Sequence, residues 1–295
     1  MKSIVLGSSS LINDYVALTK PRIIVLLLVT ALGGIFMAAD GKPSINIILL
    51  VFGGGALASG GANALNHYLD RDIDGRMERT QNRPVAGGRI LPYQALLFGL
   101  ILNVAAFIIF GLFVNILSGF LALSSTLFYV FVYTKGLKRI TPQNIVIGGA
   151  AGAMPPVIGW AAVTGSLGLE ALYLFSIIFF WTPPHFWALS LLIKDDYEKA
   201  NIPMLPVVVG DEATRKSIFL YTLVLVALTL MFFATQAVGW IYFGFCLTSG
   251  AIFIYLARRL MGQADRRAAR TLYLYSLLYL ALLFVALMVD SIVGI

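Results

Sequence analysis

Nine runs of mostly apolar residues, each near the 20 or so needed to cross a bilayer as a helix, constrain this chain more than any other feature. They fall at roughly 22–39, 44–66, 92–114, 117–134, 143–163, 169–192, 217–236, 239–257 and 271–290. In hydrocarbon every backbone N–H and C=O must be satisfied by the chain itself, which leaves helices or a closed barrel. Barrel strands would alternate polar and apolar over about 10 residues, whereas these runs are continuous. With 59% hydrophobic and 12% charged residues, a soluble core of 295 residues could not hide the apolar side chains present. The expected fold is therefore all-α, a polytopic membrane bundle of nine transmembrane helices. A short segment at 1–19 precedes a single transmembrane domain over 20–295.

The first run follows Lys20 and Arg22 as the core of a signal peptide would, but it is longer than such a core and further spans follow it. It reads as a retained helix. The single cysteine, Cys246, excludes a disulfide framework within one chain.

Charge placement tests the helix count independently. Lys2, Lys20 and Arg22 precede the first run, and Arg71, Arg76, Arg79, Arg83 and Arg89 follow the second. Lys135, Lys138 and Arg139 follow the fourth, Lys194, Lys199, Arg215 and Lys216 the sixth, and Arg258, Arg259, Arg266, Arg267 and Arg270 the eighth. Of 21 basic residues only Lys42 falls on the other side. The positive-inside rule then places the N-terminus in the cytoplasm and, after nine crossings, the C-terminus outside. This topology also accounts for the net charge of +7 without nucleic acid, since no basic domain or basic tail is present. The long connections after the second and sixth runs lie on the basic side and hold most of the carboxylates, so function is expected at the cytoplasmic face. Pro155-Pro156 and Pro183-Pro184 interrupt the backbone ladder inside the membrane, which is tolerated where a helix packs in protein or lines a cavity. A central chamber opening to the cytoplasmic side is consistent with both pairs.

The stretch from Asn63 to Arg76 carries the chemistry. Asn66, Asp70 and Asp74 stand at i, i+4 and i+8, and share one face if the second helix continues past the membrane surface; Asn63 joins that face and Asp72 points away. Two carboxylates and an amide oxygen suit Mg²⁺, a hard ion that takes one or two carboxylates and leaves positions for phosphate oxygens. Arg71, Arg76, Arg79 and Arg83 crowd the same segment. Cations beside a metal site repel the ion unless an anion lies between, and a diphosphate bridging Mg²⁺ and arginine meets that condition. Solvated topological charge is the competing reading for the arginines. It does not extend to the acids, which contribute little to topology and are rare at membrane boundaries.

A second segment, 194–204, emerges on the same side four crossings later. Its Asp195 and Asp196, with Lys194 and Lys199, could hold another Mg²⁺ and the far side of the diphosphate, or form a plain helix end. His185, two to three turns above Asp196, could ligate the iron of a haem-type acceptor or be satisfied by a neighbouring helix. His67, beside Asn66, reads as a supporting or solvated group. Tyr129 and Tyr133 near the inner end of the fourth helix offer aromatic faces to a cation. Lys135 and Lys138 add positive charge for the diphosphate alongside Arg79 and Arg83.

The run from Asn63 to Pro84 resembles the first aspartate-rich motif of the intramembrane prenyltransferase superfamily related to 4-hydroxybenzoate polyprenyltransferase. Asn66, Asp70, Asp74, Arg79-Thr80 and Arg83-Pro84 fall in register with it. Stretches at 18–23, 133–139, 152–156, 181–187 and 196–206 extend the similarity to the branch that farnesylates protohaem, so it spans nearly the whole chain. The resemblance implies farnesyl diphosphate as donor, haem B as acceptor, Mg²⁺ dependence and haem O as product in a bacterial inner membrane. Haem A synthase or terminal oxidase assembly would lie downstream. One departure stands out: where many members carry a spaced aspartate pair in the second motif, Ile193 holds the earlier position here. Rival readings are a prenyltransferase for a quinone precursor or another tetrapyrrole, a secondary transporter and an assembly subunit. A transporter usually needs ionisable groups at mid-membrane, and an assembly subunit gives no reason for the four-residue spacing.

Overall fold

The computed structural model describes residues 8–262 and 265–294; Lys2, with the rest of 1–7, lies outside the described residues. A short helix, α1 (Ser8–Thr19), leads into the membrane-length helices. These are α2 (Pro21–Ala38), α3 (Ile45–Leu69), α4 (Pro92–Phe113), α5 (Ile116–Arg139), α6 (Asn144–Thr164), α7 (Leu169–Leu192), α8 (Gly210–Thr235), α9 (Trp240–Gly262) and α10 (Arg266–Val293). Among the described residues there are nine such helices and no strand.

Helix ends depart from the apolar runs where charged residues continue the helix beyond hydrocarbon. α8 starts at Gly210 rather than near 217, and its first turns carry a Lys216–Glu212 pair at 2.7 Å. α10 starts at Arg266 rather than near 271, with Asp265 capping it by accepting from the Ala268 N–H. An apolar run measures the thickness of the membrane core, not the length of the helix. Residues 8–19, expected only as a leading segment, form a helix pinned to the rest by Arg89, whose Nε lies 2.9 and 3.1 Å from the two Asp14 carboxylate oxygens.

The proline pairs act differently. α6 breaks at Ala153, so Pro155 and Pro156 fall in the first turn of its second half, where an N–H has no acceptor to lose. α7 runs unbroken through Pro183 and Pro184. In α5 the coil widens to π geometry over Phe128–Gly136 and then tightens over Leu137–Arg139. Such widened turns are frequent at functional sites.

Packing depends on close helix crossings. A Cβ on Gly34 of α2 would overlap the Pro156 carbonyl of α6, and one on Gly159 would overlap the Ala31 carbonyl of α2, so these two helices touch backbone to backbone. The aromatic core lies between α7, α8, α9 and α10, with Trp187, Phe232, Tyr242, Phe253, Tyr279 and Phe284 all buried. On the outer face, Leu100, Ile101, Val104, Leu112 and Phe113 of α4 are exposed, as lipid-facing side chains are. At the end away from the arginines, the buried Asp290 carboxylate accepts backbone N–H groups from Gly239, Ile241 and Tyr242 and so holds the start of α9 against α10. The molecule thus has one end tied together by Asp290 and one end rich in charge.

Replacing Gly34 by Leu forces α2 from α6 and should cost about 1–3 kcal/mol or more. Thermal unfolding in detergent should show a lowered midpoint. Gly53→Ala, where nothing lies within 4 Å, should leave the midpoint unchanged or raise it.

Candidate functional site

α3 does not continue through the acidic segment as the spacing implied. It ends at Leu69, Asp70 bends at φ −91° and ψ 6°, and a single further turn covers Arg71–Asp74. The register nevertheless carries across the bend, since the Asp70 N–H donates to the Asn66 carbonyl at 2.9 Å and the Asp74 N–H to the Asp70 carbonyl at 2.7 Å. Asn66, Asp70 and Asp74 are consequently all buried, at 3, 0 and 1% exposure. Asn63 serves structure: its Nδ2 donates to the Thr19 carbonyl at the α1–α2 junction, 3.1 Å away. Asp72 faces outward to Arg139, with bonds of 2.8 and 2.9 Å that hold its carboxyl below the usual range.

Buried carboxylates require counter-charge. Lys138 Nζ reaches Asp70 Oδ2 at 2.5 Å, and Arg83 Nη1 contacts both Asp74 oxygens at 2.7 and 2.9 Å. Asn66 Nδ2 donates to Asp70 Oδ2 at 2.7 Å and to Thr134 Oγ1 at 3.3 Å, while its Oδ1 accepts from Lys20 Nζ at 2.9 Å. Lys20 was not singled out by sequence reasoning. It takes a left-handed φ of 53°, uncommon outside glycine, directly before Pro21. Burial, then Arg83 and Lys138, push its amine down to about 7. A lysine fixed ahead of a proline at the mouth of a span was the available signal. Lys138 and Arg83 thus pair with the two buried carboxylates, Arg139 lies 3.8 Å from Asp70 Oδ1 and Lys20 joins through Asn66, a crowding of basic groups that an anion would relieve.

The π stretch of α5 delivers several groups together. Tyr129 and Tyr133 stack with centroids 5.5 Å apart, and Tyr133 packs against Gly148 of α6. Thr134 and Lys138 of the same helix meet Asn66 and Asp70. The second acidic segment joins through Asp196, whose carboxylate accepts the N–H groups of Glu78 and Arg79 at 3.3 and 3.4 Å. Beneath it Tyr197 packs with Ile73 and Met77, and burial pushes its phenol up.

Other residues of the expected site lie elsewhere. Arg71 folds back over the Tyr68 ring at 4.8 Å and donates to the Tyr68 carbonyl. Lys194 turns to Asp211 at 3.1 Å and Glu198 at 3.8 Å, and Asp195 is exposed. Lys199 is 60% exposed and 4.0 Å from Glu78. The reason is that α7 stops at Ile193 and a new turn starts at Lys194, which rotates only Asp196 and Tyr197 inward. Arg79 and Lys135 are exposed as side chains at the rim. His67 is buried, with neither ring nitrogen hydrogen-bonded.

His185 sits within α7 between Trp181 and Tyr273, with ring centroids 4.3 and 4.9 Å away. Its Nδ1 is 2.7 Å from Ser276 Oγ, which itself donates to the Tyr273 carbonyl at 2.7 Å. With the serine proton on the Tyr273 carbonyl, Nδ1 is the donor to Ser276 Oγ and Nε2 carries the lone pair. That tautomer is the one a metal-ligating imidazole needs.

Among the described residues no three His, Cys, Asp or Glu side chains form a ready cation cage. The donor set nevertheless fits magnesium: Asn66, Asp70 and Asp74 offer hard oxygens, and Asp70 Oδ1 is buried without a hydrogen bond. The remaining positions would come from water or phosphate. The arrangement is chemically suited to gripping a polyanion and withdrawing charge from it.

A model of the UbiA prenyltransferase family matches residues 27–288. A protein from Gloeobacter violaceus named protoheme IX farnesyltransferase is 53% identical over 288 residues, covering 96% of this chain and 93% of that protein. The fold is similar to a structure solved in work on digeranylgeranylglyceryl phosphate synthase in membranes, with a TM-score of 0.79, 19% identity and coverage of 95% of this chain and 98% of that one. A UbiA homolog from Archaeoglobus fulgidus bound to GPP and Mg²⁺ gives a TM-score of 0.67 at 17% identity, covering 93% of this chain and 99% of that one.

Removing one partner of a buried ion pair strands the other. Arg83→Ala should therefore destabilise the protein by about 3 kcal/mol. Adding Asp74→Asn to it should recover part of that loss, and a double-mutant cycle of thermal unfolding in detergent checks both.

Proposed function

Because this chain belongs to the UbiA prenyltransferase family, we propose that it transfers the farnesyl group of farnesyl diphosphate to a vinyl group of haem B, with water adding to give haem O and diphosphate. The observation that carries this reading is the buried Asn66–Asp70–Asp74 cluster clamped by Lys20, Lys138 and Arg83. The name of the Gloeobacter relative supports the donor and acceptor, and the GPP and Mg²⁺ in the Archaeoglobus neighbour support the donor chemistry.

Asn66, Asp70 and Asp74 would hold the magnesium ion, which when bound supplies Lewis-acid stabilisation of a departing diphosphate. Lys138 and Arg83, paired here with Asp70 and Asp74, and Lys20, bonded to the Asn66 amide oxygen, would neutralise charge building on the phosphate oxygens. Arg79 and Lys135 extend that field at the rim. The C1–O bond of the donor breaks with its electron pair leaving on diphosphate. The stacked Tyr129 and Tyr133 rings stabilise the positive charge left on the allylic carbons, and apolar surroundings keep water from it. The vinyl π electrons of the acceptor then form the new bond to C1, and water captures the resulting carbocation and gives up a proton. His185 orients the acceptor by offering Nε2 to its iron. Asp196 holds the Glu78–Arg79 backbone in place.

The charge asymmetry supports placing the basic end in the cytoplasm of a bacterial inner membrane. Haem O would pass from there to haem A synthesis or terminal oxidase assembly.

Incubation of purified protein with farnesyl diphosphate, haem B and Mg²⁺, followed by mass analysis of the pigment, should show a hydroxyethylfarnesyl adduct; unmodified haem alone would reject the reading. Asp70→Asn should lower turnover by at least about a hundredfold while the protein remains folded and monodisperse. Wild-type rates for this variant at saturating magnesium would remove Asp70 from the metal site. His185→Ala should shift the Soret band of bound haem, and an unchanged spectrum would remove His185 from the acceptor.

A further inference from the structure

α7 and α10 run antiparallel and meet at two levels. Near the basic end, Arg266 Nη2 donates to the Leu192 carbonyl at 3.0 Å. Deeper in, the His185 ring lies against Tyr273 and bonds to Ser276. On α7, His185, Leu189 and Leu192 recur at i, i+4 and i+7; on α10, Arg266, Arg270 and Tyr273 do the same, so each set forms one stripe along its helix. Leu189, Leu192 and Tyr273 are half-buried and Arg266 and Arg270 exposed, whereas His185 is buried, so the two stripes are accessible at their basic end. At its basic end is a cavity of about 340 Å³ lined by Leu192, Arg266, Arg267 and Arg270.

The arginines there are short of counter-charge. Among the described residues, the Arg267 and Arg270 side chains have no hydrogen-bond or ion-pair partner. Asp265, beside Arg266 in sequence, has an oxygen engaged by the Ala268 N–H. Membrane topology explains the sign of these charges but not their gathering around a concavity at the end of the α7–α10 contact. Guanidinium groups match carboxylates in a bidentate fork, and the N-terminal end of α10 adds a favourable dipole. From Arg266 to Tyr273 the helix rises about 10 Å, room for a flat body with its acidic edge at the arginines and its face toward Tyr273.

We propose that this pocket binds the acidic side chains of the acceptor, the two propionates of haem, with the macrocycle lying along the α7–α10 seam toward Tyr273 and His185. The inference rests on the haem reading given above. It adds Arg266, Arg267 and Arg270 as residues that recognise the acceptor, separate from the cluster that holds the donor. It also explains how an acceptor with two negative charges is kept apart from a donor that is itself a polyanion.

The test uses the full chain in phosphatidylcholine nanodiscs, with haem B and its dimethyl ester as acceptors. In Arg266→Gln/Arg270→Gln the KM for haem B should rise about tenfold or more, the effect of losing charge-assisted bonds. The KM for farnesyl diphosphate should stay within about twofold, and wild type and variant should bind the dimethyl ester alike. Arg266→Lys/Arg270→Lys, which keeps the charge, should restore part of the haem B affinity. An unchanged KM for haem B overturns the proposal, as does an equal defect for haem B and its ester. Phosphatidylglycerol arms separate a lipid site: a defect seen only when that lipid is present assigns the pocket to lipid phosphate and also overturns the proposal. If wild type consumes farnesyl diphosphate yet prenylates neither haem, the haem reading itself fails, independently of the variants.

Discussion

Two carboxylates are buried at the edge of hydrocarbon, and that constraint organises the charged end of the molecule. An unpaired buried carboxylate is too costly to survive folding, so Asp70 and Asp74 each draw a cation from another part of the chain. Lys138 comes from α5, Arg83 from the loop after α3, and Lys20 from the mouth of α2 by way of Asn66. Three separate segments are thus tied to one point. A buried ion pair of this kind is weak evidence for stability, because well-packed apolar side chains often do as well. The proposed function gives it another purpose: it would hold oxygens for a divalent cation and cations for a phosphate, paired with each other in the absence of substrate.

The rest of the fold keeps that point rigid. α2 and α6 touch through backbone at Gly34 and Gly159, which fixes the helix that carries Lys20. The widened stretch of α5 carries Tyr129, Tyr133 and Thr134, and the tightened turn after it carries Lys138 to Asp70. Asp290 ties α9 to α10 at the opposite end by capping α9. The second acidic segment contributes less than its composition suggests. Asp196 secures the Glu78–Arg79 backbone, and its neighbours Lys194 and Asp195 look outward.

Much of this was legible in the sequence because membrane physics is strict. Continuous apolar runs can only be helices in lipid, and a single basic residue, Lys42, departs from the charge partition. The i, i+4, i+8 spacing of Asn66, Asp70 and Asp74 was readable as a shared face, and the backbone bonds keep that register even though α3 bends at Asp70. Lys20 was harder to see. Its role depends on a left-handed backbone and on contact with a residue 46 positions away, neither of which periodicity encodes. Where Lys194 and Arg71 turn, to Asp211 and to Tyr68, was not readable for the converse reason, since local charge identity does not say which way a helix end turns. The hydrogen bond between His185 and Ser276 joins residues 91 positions apart and leaves no local trace.

The central claim is that the clamped carboxylates exchange their lysine and arginine partners for a divalent ion bound to diphosphate. Electron paramagnetic resonance of Mn²⁺ in place of Mg²⁺, recorded with an unreactive farnesyl thiodiphosphate, tests it most directly. The account predicts a protein-bound Mn²⁺ signal with phosphorus hyperfine coupling that is lost in Asp74→Asn. An identical coupled signal in wild type and Asp74→Asn would contradict it.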